Sequence, residues 1–214
     1  TDTDLYNHNF KRLSGKSINV GYAQAEALRV NFVGELGWEL HHPIEMQNYI
    51  FDELMKVGAD FNIKPFGIRA MDSMRIEKSY RLIPREMSIE YSALESGLDR
   101  FVKLDKACDF VGKAGLSAWQ KKGFNNTFVT LEVHDITDAD ARGSEGIYKN
   151  GELIGRATSG GFGFRVNKSL ALGMVLSNYA IEGAELEIEI LGQRHRAIVI
   201  PESAFDAENL ALRS

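Results

Sequence analysis

The residues best placed to do chemistry lie in Gly34-Glu35-Leu36-Gly37-Trp38-Glu39. Side chains alternate across an extended segment, so Trp38 and Leu40 face one way while Glu39 and His41 face the other. A carboxylate displayed beside aromatics such as Phe32 and Trp38 can accept two parallel hydrogen bonds from a planar amidine-like edge, for example the N3–H and 2-amino group of a pterin. Gly34 and Gly37 let the backbone turn and approach closely. A glutamate on a strand is more often part of a solvent face. Its company with the Gly-x-x-Gly turn and the aromatics raises Glu39 above that reading.

Other reactive groupings are weaker. The five histidines are His8, His41, His42, His134 and His195. His41 and His42 are neighbours on an expected strand, so they point to opposite faces and cannot ligate one ion; no metal site is expected. No Cys-x-x-Cys and no Gly-x-Ser-x-Gly elbow occurs. Ser159-Gly160-Gly161-Phe162-Gly163 looks like a phosphate loop, but it lacks the required lysine and precedes strands, so it reads as a turn with close backbone packing. The single cysteine, Cys108, excludes an intrachain disulfide and reads as a small buried hydrophobe. It suits a reducing compartment, and a cytoplasmic location is expected.

The elements that must hold Glu39 follow from periodicity. Leu28, Val30 and Phe32 alternate with Arg29, Asn31 and Val33, which predicts a strand, turned at Gly34 to Gly37 into a return strand. From Glu45 the period lengthens to a helix with Met46, Ile50, Leu54 and Val57 inward and Gly58 at its stop. A second helix is predicted from near Pro65 to Tyr80, with Ile68, Met71 and Met74 inward. Its charges Arg69, Asp72, Arg75, Glu77 and Lys78 read as a solvated or salt-bridged face. Gly112 to Lys122 predicts a short helix closed by Gly123.

Beyond Gly123 to Asn126 everything reads as strands. Val129, Leu131 and Val133 alternate with polar residues, as do Leu186, Ile188 and Ile190. Asn150-Gly151 carries a type I′ hairpin signal, and Leu191-Gly192-Gln193 a second turn. The expected organisation is an α+β domain over 1–123 and a small all-β barrel or sandwich over 124–214.

Composition limits the partners. The chain has 214 residues, 44% of them apolar, enough for a real core. Its 25 basic and 30 acidic residues leave a net charge of −5, so no general attraction to nucleic acid or anionic lipid is built in. No apolar leader and no run of about 18 apolar residues is visible, so neither a membrane span nor a secretion signal is expected. The sequence opens Thr1-Asp2-Thr3-Asp4 without methionine and reads as a processed or cut chain.

Taken together, these segments resemble the aminomethyltransferase (glycine cleavage T-protein) family. Gly34 to Glu39 is similar to its folate-binding Gly-Glu-x-Gly-x-Glu motif. Asp72-Ser73-Met74-Arg75-Ile76-Glu77 resembles its Asp-Ser-Leu/Met-Arg-Leu/Ile-Glu helix. Leu94-Glu95-Ser96-Gly97-Leu98, Phe101-Val102-Lys103-Leu104, Asp109-Phe110-Val111-Gly112-Lys113 and Thr158-Ser159-Gly160 follow in family order. The likeness runs from about Leu28 to Ile200. The wording of Ser73 to Lys78 and of Asp109 to Lys113 is closer to the C-terminal parts of dimethylglycine and sarcosine dehydrogenases than to free-standing T-proteins.

The resemblance implies a ferredoxin-like α+β domain followed by an antiparallel β-barrel. It implies tetrahydrofolate as cofactor, with Glu39 on the pterin, Phe32 as its aromatic wall and Trp38 packing beside them, and capture of a one-carbon unit as 5,10-methylenetetrahydrofolate. The implied donor is a methylated amine or an aminomethyl group. FAD is implied only in an N-terminal region of the same protein outside this chain. Phe32 stands where the family often has tyrosine, and Met71 where it often has arginine; Arg69 or Arg75 is the available substitute. The family's tyrosine near the C-terminus has no counterpart in Phe205 to Ser214. The family's catalytic aspartate lies outside this chain, so no catalytic residue is assigned and the chain alone is expected to be inactive. The rival readings are a non-catalytic structural or interaction module of the same fold and a truncated glycine cleavage aminomethyltransferase.

Overall fold

A computed structural model describes residues 1–136 and 138–214. The chain forms two compact units: Thr1–Met71 together with Glu208–Ser214, and Asp72–Ala207. The sequence suggests a boundary near 123/124, where the barrel strands begin. Compactness divides the chain earlier, so residues 72–125 group with the barrel.

The first unit carries an antiparallel three-stranded sheet in the order β1 (Gly15–Val20), β2 (Ala23–Leu28), β3 (Glu39–His41). Ala23, Ala25 and Ala27 are buried while Gln24 and Glu26 are exposed, so the working alternation lies five residues upstream of the one expected at Leu28 to Val33. Alanine is a poor strand former, and this pattern stands out only once β1 is paired to it. Glu39 lies opposite Leu28 in the β2–β3 ladder, and residues 29–38 are loop rather than strand. Inside, Phe10, Ile18, Ala25 and Ala27 form the core, with Trp38 and Leu40 packed against it. Phe10 is wholly buried, a contribution of roughly 2–3 kcal/mol.

Helix α1 (Gln47–Gly58) buries Ile50 but leaves Leu54 and Val57 exposed, against the expected four-residue stripe. Tyr49 on α1 stacks on Tyr22 with ring centres 3.7 Å apart, which anchors the helix to the β1–β2 turn. Gly58 keeps ordinary helical dihedrals, and the left-handed stop is Asn62 at φ 56°, one 3-10 turn later. Gly58 is required for another reason: a Cβ there would lie 2.6 Å from Ile63 Cγ2.

Helix α2 is Ile68–Glu77, shorter at both ends than expected. Ile68 is 73% exposed, and the buried apolar residue is Ile76. Arg69 at the start of the helix is exposed while Arg75, Glu77 and Lys78 at its end are buried, so the charged face is solvated at one end and enclosed at the other. Helix α3 (Lys113–Lys122) closes at Gly123, φ 87°, as expected.

The remaining strands are β4 (Asn126–Val133), β5 (Gly146–Lys149), β6 (Glu152–Gly163), β7 (Lys168–Leu176), β8 (Glu185–Ile190) and β9 (Gln193–Ile200). They close into an antiparallel barrel in the order β4-β7-β6-β5-β8-β9. Leu131, Ile147, Ala171, Val175 and Ile188 fill its interior. Outside, Ile76 covers Phe128, Leu170, Leu172 and Met174, so β7 is buried on both faces. The β5–β6 turn has positive φ at both Asn150 (51°) and Gly151 (85°), as a type I′ hairpin requires. Leu191 and Gly192 do the same for β8–β9.

Ser159 to Gly163 lies within β6 and is not a turn. Its close packing is real: a Cβ on Gly160 would meet the Ala141 carbonyl oxygen at 2.5 Å. Cys108 is exposed, contrary to the buried position expected of it. Its surroundings from Asp99 to Gly112 lack regular strand or α-helix, so no element buries it. No helix among the described residues is long and apolar enough to cross a membrane.

Candidate functional site

The loop between β2 and β3 is shaped by two devices. Gly34 adopts φ 78°, which glycine meets without steric cost, and its N–H donates to Asn31 Oδ1 at 2.8 Å. Gly37 has no positive φ, and a Cβ there would find its nearest neighbour at 3.8 Å. The turn therefore depends on Gly34 and Asn31, and Gly37 is not sterically required.

The loop delivers Trp38 and Glu39 to opposite faces of the sheet. Trp38 packs inward near Phe10, with ring centres 6.4 Å apart, and lines a cavity of about 620 Å³ with Tyr6, Arg29 and Leu36. Its Nε1 is buried and has no hydrogen-bond partner among the described residues. Glu39 stands on the outer face, its side chain 53% exposed, with Oε2 3.5 Å from Nε2 of His41. His41 pairs with Glu26 across the ladder, and Glu26 accepts a short hydrogen bond from Ser17 Oγ. The outer face is thus a polar strip on which the Glu26 and Glu39 carboxylates are both exposed. Phe32 is half-buried within the 29–38 loop.

The remaining candidates are placed differently. Arg69 is exposed at the start of α2. Arg75 is enclosed. Its Nε donates to Asp72 Oδ1 at 2.7 Å, Nη1 to the Tyr80 carbonyl at 3.1 Å and to Glu86 Oε2 at 3.5 Å, and Nη2 to Ser159 Oγ at 2.8 Å. Thr158 and Ser159 hydroxyls also donate to Glu86 Oε1, at 2.6 and 2.5 Å. Each guanidinium nitrogen has a protein partner, so Arg75 offers a ligand no open donor face. Sequence reasoning missed Glu86 and Ser159 as this cation's partners because they lie 11 and 84 positions away from it.

No group of three or more histidine, cysteine, aspartate or glutamate side chains suited to a metal occurs among the described residues. The outer face offers a carboxylate whose oxygen lone pairs can accept hydrogen bonds, at the end of a loop that carries an aromatic ring.

Residues 1–106 match the GCVT N-terminal domain, and residues 126–206 match the glycine cleavage T-protein C-terminal barrel domain. Human mitochondrial dimethylglycine dehydrogenase is 38% identical over 202 residues, 94% of this chain and 23% of that protein. Mouse mitochondrial sarcosine dehydrogenase is 32% identical, over 97% of this chain and 23% of that protein. An aminomethyltransferase of Desulfitobacterium hafniense is 36% identical, over 81% of this chain and 47% of that protein. The chain thus spans about a quarter to a half of the length of these relatives. The crystal structure of glycine cleavage system aminomethyltransferase T from Bartonella henselae has the same fold, with a TM-score of 0.79 at 24% identity, covering 89% of this chain and 52% of that one. The ordered motifs, the α+β unit with its closed barrel and the two domain matches lead to one conclusion: the chain belongs to the glycine cleavage T-protein (aminomethyltransferase) family.

Proposed function

We propose that this chain forms part of a tetrahydrofolate site, as a C-terminal portion of a dimethylglycine or sarcosine dehydrogenase-like protein that passes a one-carbon unit to folate. The observation that carries the reading is the Glu39 carboxylate, held at the start of β3 on an open face with His41 as its ion-pair neighbour among the described residues. Glu39 holds the N3–H and 2-amino edge of the pterin through two parallel hydrogen bonds. Phe32 supplies an aromatic wall. Trp38 supports the loop from the inner face, and Arg69 is the exposed cation left to meet a carboxylate. When bound, the folate supplies the nucleophilic N5 that accepts the carbon; the protein's part is to fix its position. A methylated amine or aminomethyl donor completes the reaction. FAD belongs to polypeptide outside residues 1–214, and no catalytic residue is assigned within them. A reducing compartment, the cytoplasm, suits the exposed Cys108; the vertebrate relatives are named as mitochondrial.

A second reading, a non-catalytic module of the same fold, is favoured by one observation: the enclosed Arg75 leaves Glu39 without that cationic companion. Calorimetric titration with 5-formyltetrahydrofolate separates the two. Weak, saturable binding that disappears in Glu39→Gln supports the folate site. Binding that is absent, or unchanged in that variant, supports the module.

A further inference from the structure

A cleft of about 280 Å³ on the barrel unit is lined by three arginines, Arg85, Arg142 and Arg156, with Ser144 and Thr158. A chain of net charge −5 has no general reason to gather three guanidinium groups in so small a space. Glu90 pairs with Arg156 and offsets that charge, which leaves Arg85 and Arg142. Glu145 is committed to backbone, accepting the N–H of Arg142 at 2.8 Å and of Gly143 at 2.7 Å. Glu86 is buried with Arg75, Thr158 and Ser159. Neither Arg85 nor Arg142 has a carboxylate within ion-pair distance among the described residues.

The cleft is also built rather than incidental. Arg85 Nη1 donates to the Arg142 backbone carbonyl at 3.2 Å, which ties the Arg85 side chain to the loop that carries Arg142. The loop is pinned further by Ser144 N–H to the Ala157 carbonyl and Ala157 N–H to the Glu145 carbonyl, both 2.8 Å. Gly143 (φ 121°) and Ser144 (φ 79°) both hold positive dihedrals, and a Cβ on Gly143 would lie 2.7 Å from the Thr158 carbonyl oxygen. Such backbone persists where its surroundings dictate it. Like charges held together on a fixed frame repel until an anion joins them, and guanidinium groups match the paired oxygens of phosphate and carboxylate. The volume lies just below the roughly 300–1,000 Å³ usual for organic ligands and cofactors, which favours a small anion.

We propose that this cleft binds a small oxyanion, a phosphate or carboxylate group, gripped by Arg85 and Arg142 with Arg156 at its side. The site lies in the barrel unit and is independent of the folate reading at Glu39. Titration of the full 15N-labelled chain with inorganic phosphate and with glutarate, at constant ionic strength set by sodium chloride, tests it. Saturable shifts of the Gly143 and Ser144 amides are expected, weakened about tenfold or more in Arg142→Gln and abolished in the Arg85→Gln/Arg142→Gln double variant. Arg194→Gln, on the barrel exterior, should bind as the parent does. Preference for phosphate identifies a phosphoryl ligand, and preference for glutarate a carboxylate one. Shifts that fail to saturate with either, or that survive in the double variant, overturn the proposal.

Discussion

Arg75 and Glu86 face each other at 3.5 Å between Nη1 and Oε2, and neither side chain is exposed. Removing the cation leaves Glu86 buried, and breaking such a pair typically costs about 3–5 kcal/mol. Arg75→Met should therefore lower unfolding free energy by an amount in that range in urea. Arg69→Gln, exposed at the start of α2, should stay within about 0.5 kcal/mol. Equal effects of the two changes would contradict the enclosed placement of Arg75.

Trp38 and Glu39 are adjacent in sequence and divided by the sheet. Trp38→Ala should destabilise the chain by roughly 2–4 kcal/mol, since Trp38 packs on the unit's core. Glu39→Ala should change stability by no more than about 1 kcal/mol, the worth of a surface ion pair. Thermal unfolding of both variants checks the division; a large loss in Glu39→Ala would tie that residue to folding instead.

Gly160 on β6 is packed against Ala141, a member of the barrel's buried interior cluster. A Cβ there meets both the Ala141 carbonyl oxygen at 2.5 Å and its Cβ at 2.7 Å. Gly160→Ala should cost about 1–3 kcal/mol through overpacking. Gly37→Ala, with its nearest neighbour at 3.8 Å, should be close to neutral. Denaturant midpoints of the two proteins give the comparison directly.

Glu185 accepts a short hydrogen bond from Arg196, and that bond with the nearby positive charge holds its pKa below the ordinary glutamate value. A carboxyl depressed in the folded chain stabilises it above the unfolded-state pKa, and that stabilisation is lost as pH falls through the lower, folded value. An NMR titration of the Glu185 side chain should show its midpoint rise in Arg196→Gln. No change in the midpoint would remove the assigned cause.

Cys108 is exposed in a segment without regular secondary structure. A disulfide-exchange reagent should titrate it fully in the native chain, with no lag for unfolding. Reaction only after denaturant is added would place the thiol inside.

The barrel was the more legible half because its strands punctuate themselves. Asn150-Gly151 and Leu191-Gly192 occupy the two positive-φ positions of their turns, and Leu186, Ile188 and Ile190 alternate cleanly with glutamates. The first unit hid its sheet behind alanines at 23, 25 and 27, small residues that carry weak strand preference. The motif around Glu39 could be read as a display of one carboxylate, yet the loop geometry could not: Gly34 and Gly37 look equivalent in sequence, and only Gly34 has the positive φ. The enclosure of Arg75 has a long-range cause. Asp72 is visible one helical turn away, but Glu86 and Ser159 enclose the charge only after the chain has folded back.

Closure of the six-stranded barrel leaves its ladder with no free border, so each strand there has both flanks taken by neighbours. The sheet of the first unit ends instead on β1 and on the three-residue β3. These two borders are the open edges of that sheet, and the brevity of β3 makes β1 the longer template for strand addition, the one to protect during expression and concentration.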